Sequence, residues 1–292
     1  MKAVAVIVCY GPDLGHLRRT CSALIAAGVG VVLVDNTEKS PFDGQTDFVD
    51  CTVVVNGANL GIARAQNLGI TRALEQGSDA IAFFDQDSKV DELLIRELLR
   101  PLGPDRPQVV APLIRDAARG FEYPSIVITP FGGRRKTYSE GRTEPYSVDV
   151  VISSGTVATA LTFQRVGMMD EDLFIDLVDT EWCLRCRKHG IRVTVIPKAV
   201  LRHSVGSRSF GVGFALVSVH SPLRSYYQIR NCLLLFRKRS VPMLMAVREL
   251  TAVLAHKILL LHGVDRRREY LVAYAKGLMD GLVGVTGKKA GT

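Results

Sequence analysis

An α/β fold, with a mostly parallel sheet flanked by helices and a helical extension at the C-terminal end, is what this sequence predicts. Three observations carry it. Ala3–Cys9 is an unbroken apolar run of the kind found in strands buried on both faces. Leu14–Ala27 then has helical spacing and Val29–Val34 is a second apolar run, so strand, helix and strand follow within about 35 residues as a parallel βαβ unit. Finally, the short strand Ala80–Phe84 runs straight into Asp85-Gln86-Asp87-Ser88, which puts two carboxylates at the edge of an α/β sheet where ligands bind.

Two carboxylates one residue apart repel each other, so an apolar strand ending this way calls for a cation. Oxygen ligands on a short turn suit Mg²⁺ or Mn²⁺, which keep positions open for substrate phosphates. The competing explanation is a solvated turn in which Asp87 or Ser88 caps a helix over 91–99.

The elements between follow the same alternation. Val34 leads to Asp35-Asn36-Thr37, either an acid that hydrogen-bonds a base or ribose or simply a good turn. Val53–Val55 is a third strand, and Asn56-Gly57-Ala58-Asn59-Leu60-Gly61 leads into a helix over Ile62–Glu75. With Arg64 and Asn67 in its first turns, that helix start suits a phosphate or a base carbonyl; a glycine turn with a solvated Arg64 explains it as well. Val109–Leu113 is a fifth strand, and Gly132–Tyr146 is a polar loop or hairpin. Val148–Ser153 reads as another strand, ending in Ser154-Gly155, small enough for a ligand to approach closely.

Acids cluster next, from Asp170 to Asp176, before a helix over Thr180–His189. Asp179 is explained as its N-cap, or as a general base beside Trp182, an aromatic face on which a sugar can stack. Arg192–Ile196 is a strand ended by Pro197, and His203 falls in a Gly/Ser-rich loop, which favours a functional role over a structural one. Helices over Ser225–Phe236, Pro242–His262 and Arg267–Leu282 close the chain. In the second, Leu244, Val247, Leu250, Leu254, Ile258 and Leu261 form an apolar stripe. It suits a membrane surface, packing on the domain, or a homo-oligomer contact.

Composition narrows the classes. The 292 residues, 47% hydrophobic and 23% charged, describe a globular chain with a sizeable core. Residues 1–181 hold 17 Lys and Arg against 25 Asp and Glu, and residues 182–292 hold 20 against 4, so −8 is followed by +16. A basic C-terminal third implies an anionic partner: nucleic acid, a diphosphate or an anionic membrane face. Aromatics at 7% and acids along the sheet edge argue against nucleic acid. Lys2–Val8 fits a strand better than a secretory leader, and no run of 18 uncharged apolar residues occurs. Six scattered cysteines then read as reduced, in a cytoplasmic chain, and Cys183-x-x-Cys186 lacks the second pair a zinc site needs.

The ordered set of motifs is specific where each alone is weak. Tyr10, Val34-Asp35-Asn36, Asn59 to Asn67, Phe84-Asp85-Gln86-Asp87-Ser88, Ser154-Gly155, Val166 to Glu171, Asp179 to Arg185 and His203 appear in turn. This resembles glycosyltransferase family 2, nucleotide-sugar enzymes of GT-A fold. Asp-Gln-Asp-Ser and the downstream Arg224-Ser225-Tyr226-Tyr227-Gln228-Ile229-Arg230-Asn231 are most similar to its bacterial rhamnosyltransferases. The resemblance covers about residues 3–240, a catalytic domain over 1–240, and leaves 241–292 as helices for a membrane surface or an oligomer contact.

The resemblance implies a donor site of Tyr10, Asp35, Asn59, Arg64, Asp85, Asp87, Ser154 and Gly155, with Asp35 and Arg64 at the base and Asp85 at the ribose side. It implies Mg²⁺ or Mn²⁺ held by Asp87 and Asp85, with His203 as a further ligand or diphosphate contact. Asp179 would be the general base, in a position where the family often has Glu-Asp and this chain has Val178-Asp179, with Glu181 as substitute. Trp182, Glu181 and Arg224 would meet the acceptor. The expected reaction is inverting transfer of L-rhamnose from dTDP-L-rhamnose to a cell-surface glycan or a polyprenyl-diphosphate-linked saccharide, beside the inner face of the membrane. UDP-galactofuranose, UDP-glucose or GDP-mannose remain alternative donors. A nucleotidyltransferase would want a glycine-rich basic loop where Cys9-Tyr10-Gly11-Pro12-Asp13 stands.

Overall fold

The computed structural model describes all residues except 45, 117–119, 204–208, 213–214 and 292, and the side chains of 203–217 also lie outside the description. The N-terminal half alternates as expected: β1 (Ala3–Cys9), α1 (Leu14–Ala26), β2 (Gly30–Asp35), β3 (Thr52–Val55), α2 (Ile62–Glu75), β4 (Ala80–Asp85), α3 (Glu92–Leu99) and β5 (Val109–Asp116). A hairpin of β6 (Ser125–Ile128) and β7 (Arg134–Thr137) follows, then β8 (Tyr146–Val148), β9 (Val157–Thr159), α4 (Ala160–Val166), α5 (Val178–Lys188) and β10 (Val193–His203). The chain continues through the small ribbon β11 (Ser209–Val212) and β12 (Ala215–Ser218) to three helices, α6 (Pro222–Leu235), α7 (Met243–Leu260) and α8 (Arg267–Val283).

Eight strands form the main sheet in the order β3-β2-β1-β4-β9-β5-β10-β8. Neighbours β3, β2, β1 and β4 run parallel, as do β5 and β10; β9 and β8 run antiparallel to their neighbours. Alternate residues of each strand feed two apolar cores. Val4, Val6, Val34, Ile81 and Phe83 face α2 and α5, while Ala5, Ile7, Leu33 and Phe84 face α1 and α3. Register puts Cys9 opposite Asp35 and Val8 opposite Asp85, so both acids sit on one sheet edge, as the βαβ reading requires.

Four local expectations are corrected. The helix after the acid pair is capped by Asp91, which accepts from the Leu94 N–H at 2.8 Å; Ser88 is instead fully buried. The strand read over 148–153 stops at Val148, and the three residues of β9 enter the sheet instead. Pro197 does not end its strand: β10 continues through an irregularity between Ile196 and Val200, the kind of site where a missing N–H is tolerated. Helix α5 begins at Val178 with Leu177 as N-cap, so Asp179 lies inside its first turn and caps nothing.

At the other end, α8 packs closely on α6. A Cβ at Gly277 would come within 2.8 Å of the Tyr226 carbonyl and one at Gly281 within 2.6 Å of Leu233, so glycine sets the approach. The Tyr226 hydroxyl donates to Asp280 at 2.7 Å across the same seam. Helix α7 buries Met245, Ala246, Glu249, Lys257 and Leu260 and leaves Leu244, Val247 and Ile258 exposed. The face that packs is therefore largely not the stripe read from the sequence. No helix among the described residues is long and apolar enough to cross a membrane.

Candidate active site

The site grows from the β1, β2 and β4 ends. Asp35 is fully buried; one carboxylate oxygen accepts from the Thr37 N–H at 3.1 Å and from the Thr37 hydroxyl. Its other oxygen, Oδ2, is buried with no hydrogen-bond partner among the described residues. An unpaired buried acceptor is costly, which marks this oxygen out from the satisfied polar groups around it. Beside it, Asn36 organises the loop into α2: its amide donates to Asn59 at 3.0 Å, and its oxygen accepts from Asn56 at 3.1 Å and the Leu60 N–H at 2.9 Å. Asn59 Oδ1 also accepts from the Gly61 N–H, so this side chain shapes the loop.

The acid pair is held from below. Gln86 clamps the β1 end, accepting from the Tyr10 N–H at 2.7 Å and donating to the Tyr10 carbonyl at 3.2 Å. The buried Ser88 hydroxyl accepts from the Asp85 N–H at 3.1 Å and lies 3.0 Å from the Ser154 hydroxyl. His16 and Thr20 reach the Ser88 carbonyl at 3.1 and 2.9 Å. Asp85 is thereby half-buried at the cleft floor, Asp87 projects into solvent, and Tyr10 is exposed. Gly155 has φ +80°, and a Cβ there would come within 2.5 Å of Pro112; the close approach it permits is between two pieces of chain.

Opposite the acids stands a turn in an unusual conformation. Phe174, Asp176 and Leu177 all have positive φ, of 61°, 63° and 64°. Backbone of this kind persists only when its surroundings over-determine it, and α6 does so here. Asn231 donates to the carbonyls of Leu173, Ile175 and Asp176 at 2.8, 2.7 and 3.1 Å. Buried Arg230 donates to the Asp172 and Leu173 carbonyls, both at 3.1 Å, and to the Asn231 oxygen. Phe174 stacks on Tyr227 with centroids 4.7 Å apart, and its carbonyl receives the Ile62 N–H at 2.7 Å. Arg224 forks onto Asp176 at 2.8 and 3.1 Å.

This turn presents Asp179. Its carboxylate accepts from the Thr180 N–H at 2.7 Å. Burial pushes its pKa up from 3.8 to about 6, against that hydrogen bond, and the Asp176 and Asp85 charges push the same way. Asp85, Ser154, Gln66, Asp176, Asp179 and Arg224 line one cleft of about 550 Å³, whose remaining walls come from Pro112–Ile114, Tyr123–Ser125 and Val151–Ser153.

Other expected residues lie elsewhere. Trp182 is 2% exposed, stacked on Phe163 at 5.3 Å with its N–H on the Gly167 carbonyl at 2.9 Å, so it offers no face to a sugar. Glu181 is buried, gripped by Arg185 at 2.8 and 2.9 Å and by Ser240 at 3.0 Å, and does not line this cleft. Arg64 is exposed, with Glu171 3.9 Å away, and is not a lining residue either. The His203 side chain lies outside the described residues; its backbone ends β10 opposite Asp116. Sequence reasoning missed the roles of Gln86, Asn36, Asp176, Arg230 and Asn231. The run Arg224 to Asn231 was the one available signal for the last two.

Sheet order and cleft together define a mostly parallel α/β fold with a carboxylate-lined site at one edge of the sheet. The pattern of the family described as glycosyl transferase family 2 matches residues 5–158. A relative from Shigella flexneri, named dTDP-rhamnosyl transferase RfbF, is 39% identical over 285 residues, 97% of this chain and 96% of its own. The chain belongs to glycosyl transferase family 2. Among solved structures, GalNAc-T7 with UDP, GalNAc and Mn²⁺ superposes with a TM-score of 0.60 at 18% identity, over 78% of this chain. This chain spans only 48% of that one. Staphylococcus aureus TarS 1-349 in complex with UDP-GlcNAc gives 0.56 at 13% identity, over 98% of this chain and 82% of its own. At these identities the two structures establish the shared fold.

Proposed function

We propose that the protein transfers L-rhamnose from dTDP-L-rhamnose to a saccharide acceptor with inversion at the anomeric carbon. The near full-length identity to a protein named dTDP-rhamnosyl transferase carries this reading. Asp35 Oδ2, buried and unpaired, suits the imide N–H of a thymine or uracil base. Asp85 and Asp87, at and just past the end of β4, would face the sugar diphosphate in this reading. No group of three metal-ligating side chains occurs among the described residues. That donor set fits an ion that completes its shell with phosphate and water, as Mg²⁺ and Mn²⁺ do. Such an ion, held by Asp87 and Asp85, would neutralise charge on the departing diphosphate.

Asp179 takes the proton. The acceptor hydroxyl oxygen bonds to the anomeric carbon while its proton passes to the Asp179 carboxylate, and the bond to the diphosphate oxygen breaks with its electron pair leaving on dTDP. A carboxylate tuned to about 6 is ionised at neutral pH yet more basic than a solvated one, which suits this task. Arg224 fixes the turn carrying Asp179 through Asp176 and lines the acceptor side.

Residues 1–240 are taken as the catalytic unit and 241–292 as its appendage. The exposed Leu244, Val247, Ile258, Val272, Met279 and Leu282, interleaved with Arg267, Arg268 and Lys276, suit an anionic membrane surface on the cytoplasmic side. Thermal unfolding with dTDP, UDP and GDP, each with Mn²⁺ and with chelator, tests the donor. A ligand at 100 times its Kd stabilises by about 2.7 kcal/mol. A metal-dependent shift with dTDP supports the assignment; a shift with UDP or GDP alone replaces the sugar, and no shift with any nucleotide refutes it.

A further inference from the structure

Asp176 and Leu177 also line a second chamber of about 270 Å³, whose other walls include His220, Gln228, His256 and Lys257. Its polar groups come from the turn before α5, the segment before α6, α6 and α7, so α7 supplies one of its walls. Lys257 is 2% exposed, yet its ammonium donates to a neutral partner, Gln228 Oε1. The nearest carboxylate in the chamber, Asp176, is already held by two nitrogens of Arg224. Among the described residues, Arg224 and Lys257 against Asp176 leave one positive charge in excess. The surroundings register it: burial lowers Lys257 to about 8, and burial with Arg224 and Lys257 lowers His220 to about 4. His256 is lowered in the same way, and the two rings lie 6.1 Å apart. A buried ammonium without a carboxylate partner is expensive to keep. It makes sense where an anion joins it and the single N–H of a neutral His220 adds a donor; the His256 N–H is already given to the Ser218 backbone.

We propose that this chamber is a subsite for a phosphate group on the acceptor, received by Lys257 Nζ with His220. The saccharide of the same acceptor would then cross the Asp176–Leu177 turn and bring its hydroxyl to Asp179. The inference rests on the glycosyl-transfer reading, and its test separates the two.

Protein saturated with dTDP and Mg²⁺, so that the donor phosphate positions are filled, is titrated with inorganic phosphate, with geranyl phosphate and with phosphatidylglycerol vesicles, and its melting temperature is followed. Phosphate and geranyl phosphate should each raise it. Lys257→Met keeps the volume of the buried side chain and removes its charge. Ala252→Asp puts a carboxylate at an exposed position on the chamber wall, where folding is not at risk. Both variants should keep the dTDP shift and lose the phosphate shift, and affinity for geranyl phosphate should fall roughly tenfold or more, the loss of one charge-assisted hydrogen bond. A phosphate shift absent from the wild type, or equal in wild type and both variants, overturns the subsite while the donor assignment stands. Vesicles that act where geranyl phosphate does not would assign the chamber to lipid head groups and overturn it too. Loss of the dTDP shift in the wild type itself would remove the underlying reading.

Discussion

Replacing Asp179 by Asn separates its catalytic role from its cost to the fold. Holding a carboxyl at about 6 instead of 3.8 means that its ionised form is disfavoured in the native state by about 3 kcal/mol, at about 1.36 kcal/mol per tenfold change in proton affinity. The sign follows from proton binding. The native state holds this proton more tightly than the unfolded chain, so wild-type stability falls as pH rises from about 4 to about 6 and is then level. Asn has the same shape, keeps one oxygen for the Thr180 and Ser153 N–H groups and carries no charge near Asp176 and Asp85. The variant should therefore match the wild type near pH 4 and exceed it above pH 6 by up to about 3 kcal/mol, or ~6 °C in Tm for a chain of this size. Melting curves of both proteins between pH 4 and 8, without divalent metal, measure this directly. Transfer should be abolished while dTDP still binds. A stability difference independent of pH would refute the account of the Asp179 environment, and retained turnover would remove it as the base.

Three further outcomes follow from the same geometry. Wild-type kcat/KM should fall tenfold per pH below an apparent value of about 6, as Asp179 protonates, whereas a plateau down to pH 5 would show that the base titrates elsewhere. Asp35→Asn should fold normally but weaken dTDP binding by about ten- to hundredfold by calorimetry, because Oδ2 would no longer accept from the base. Asn231→Ala strands three carbonyls of the turn before Asp179. It should lose about 2–4 kcal/mol in urea unfolding and lower kcat more than donor affinity.

The sequence made the parallel half legible because its strands are long apolar runs ending in acids, and Asp35 and Asp85 could be set on one edge from that alone. Val157–Thr159 escaped because three residues carry no period, and the more apolar 148–153 drew the strand assignment instead. Pro197 misled because a bulge absorbs what a regular ladder would not. Trp182 and Glu181 were assigned to the acceptor side by proximity to Asp179, but a helix turns about 100° per residue, so neighbours in sequence face different ways. Asp179 looked like a cap because the true cap, Leu177, adopts a left-handed conformation that nothing in its side chain advertises. The distant Arg224, Tyr227, Arg230 and Asn231 explain how that conformation is held.

The order of the sheet also sets an order of assembly. Among the described residues, strands β3-β2-β1-β4 and β5-β10-β8 do not pair with each other directly, and β9 lies between them. The first group is complete by residue 85, while its counterpart must wait for β10, more than a hundred residues later. Made from its N-terminus, the chain leaves the β4 edge of the first group open to other chains until β9, from Val157 onward, pairs with it. Three small residues, Val157, Ala158 and Thr159, end that exposure. Slower synthesis at low temperature should raise the soluble yield of the protein by letting the first ribbon settle before the second is made, and a proline at Ala158, lacking the ladder N–H, should send the chain to aggregates even with every active-site residue in place.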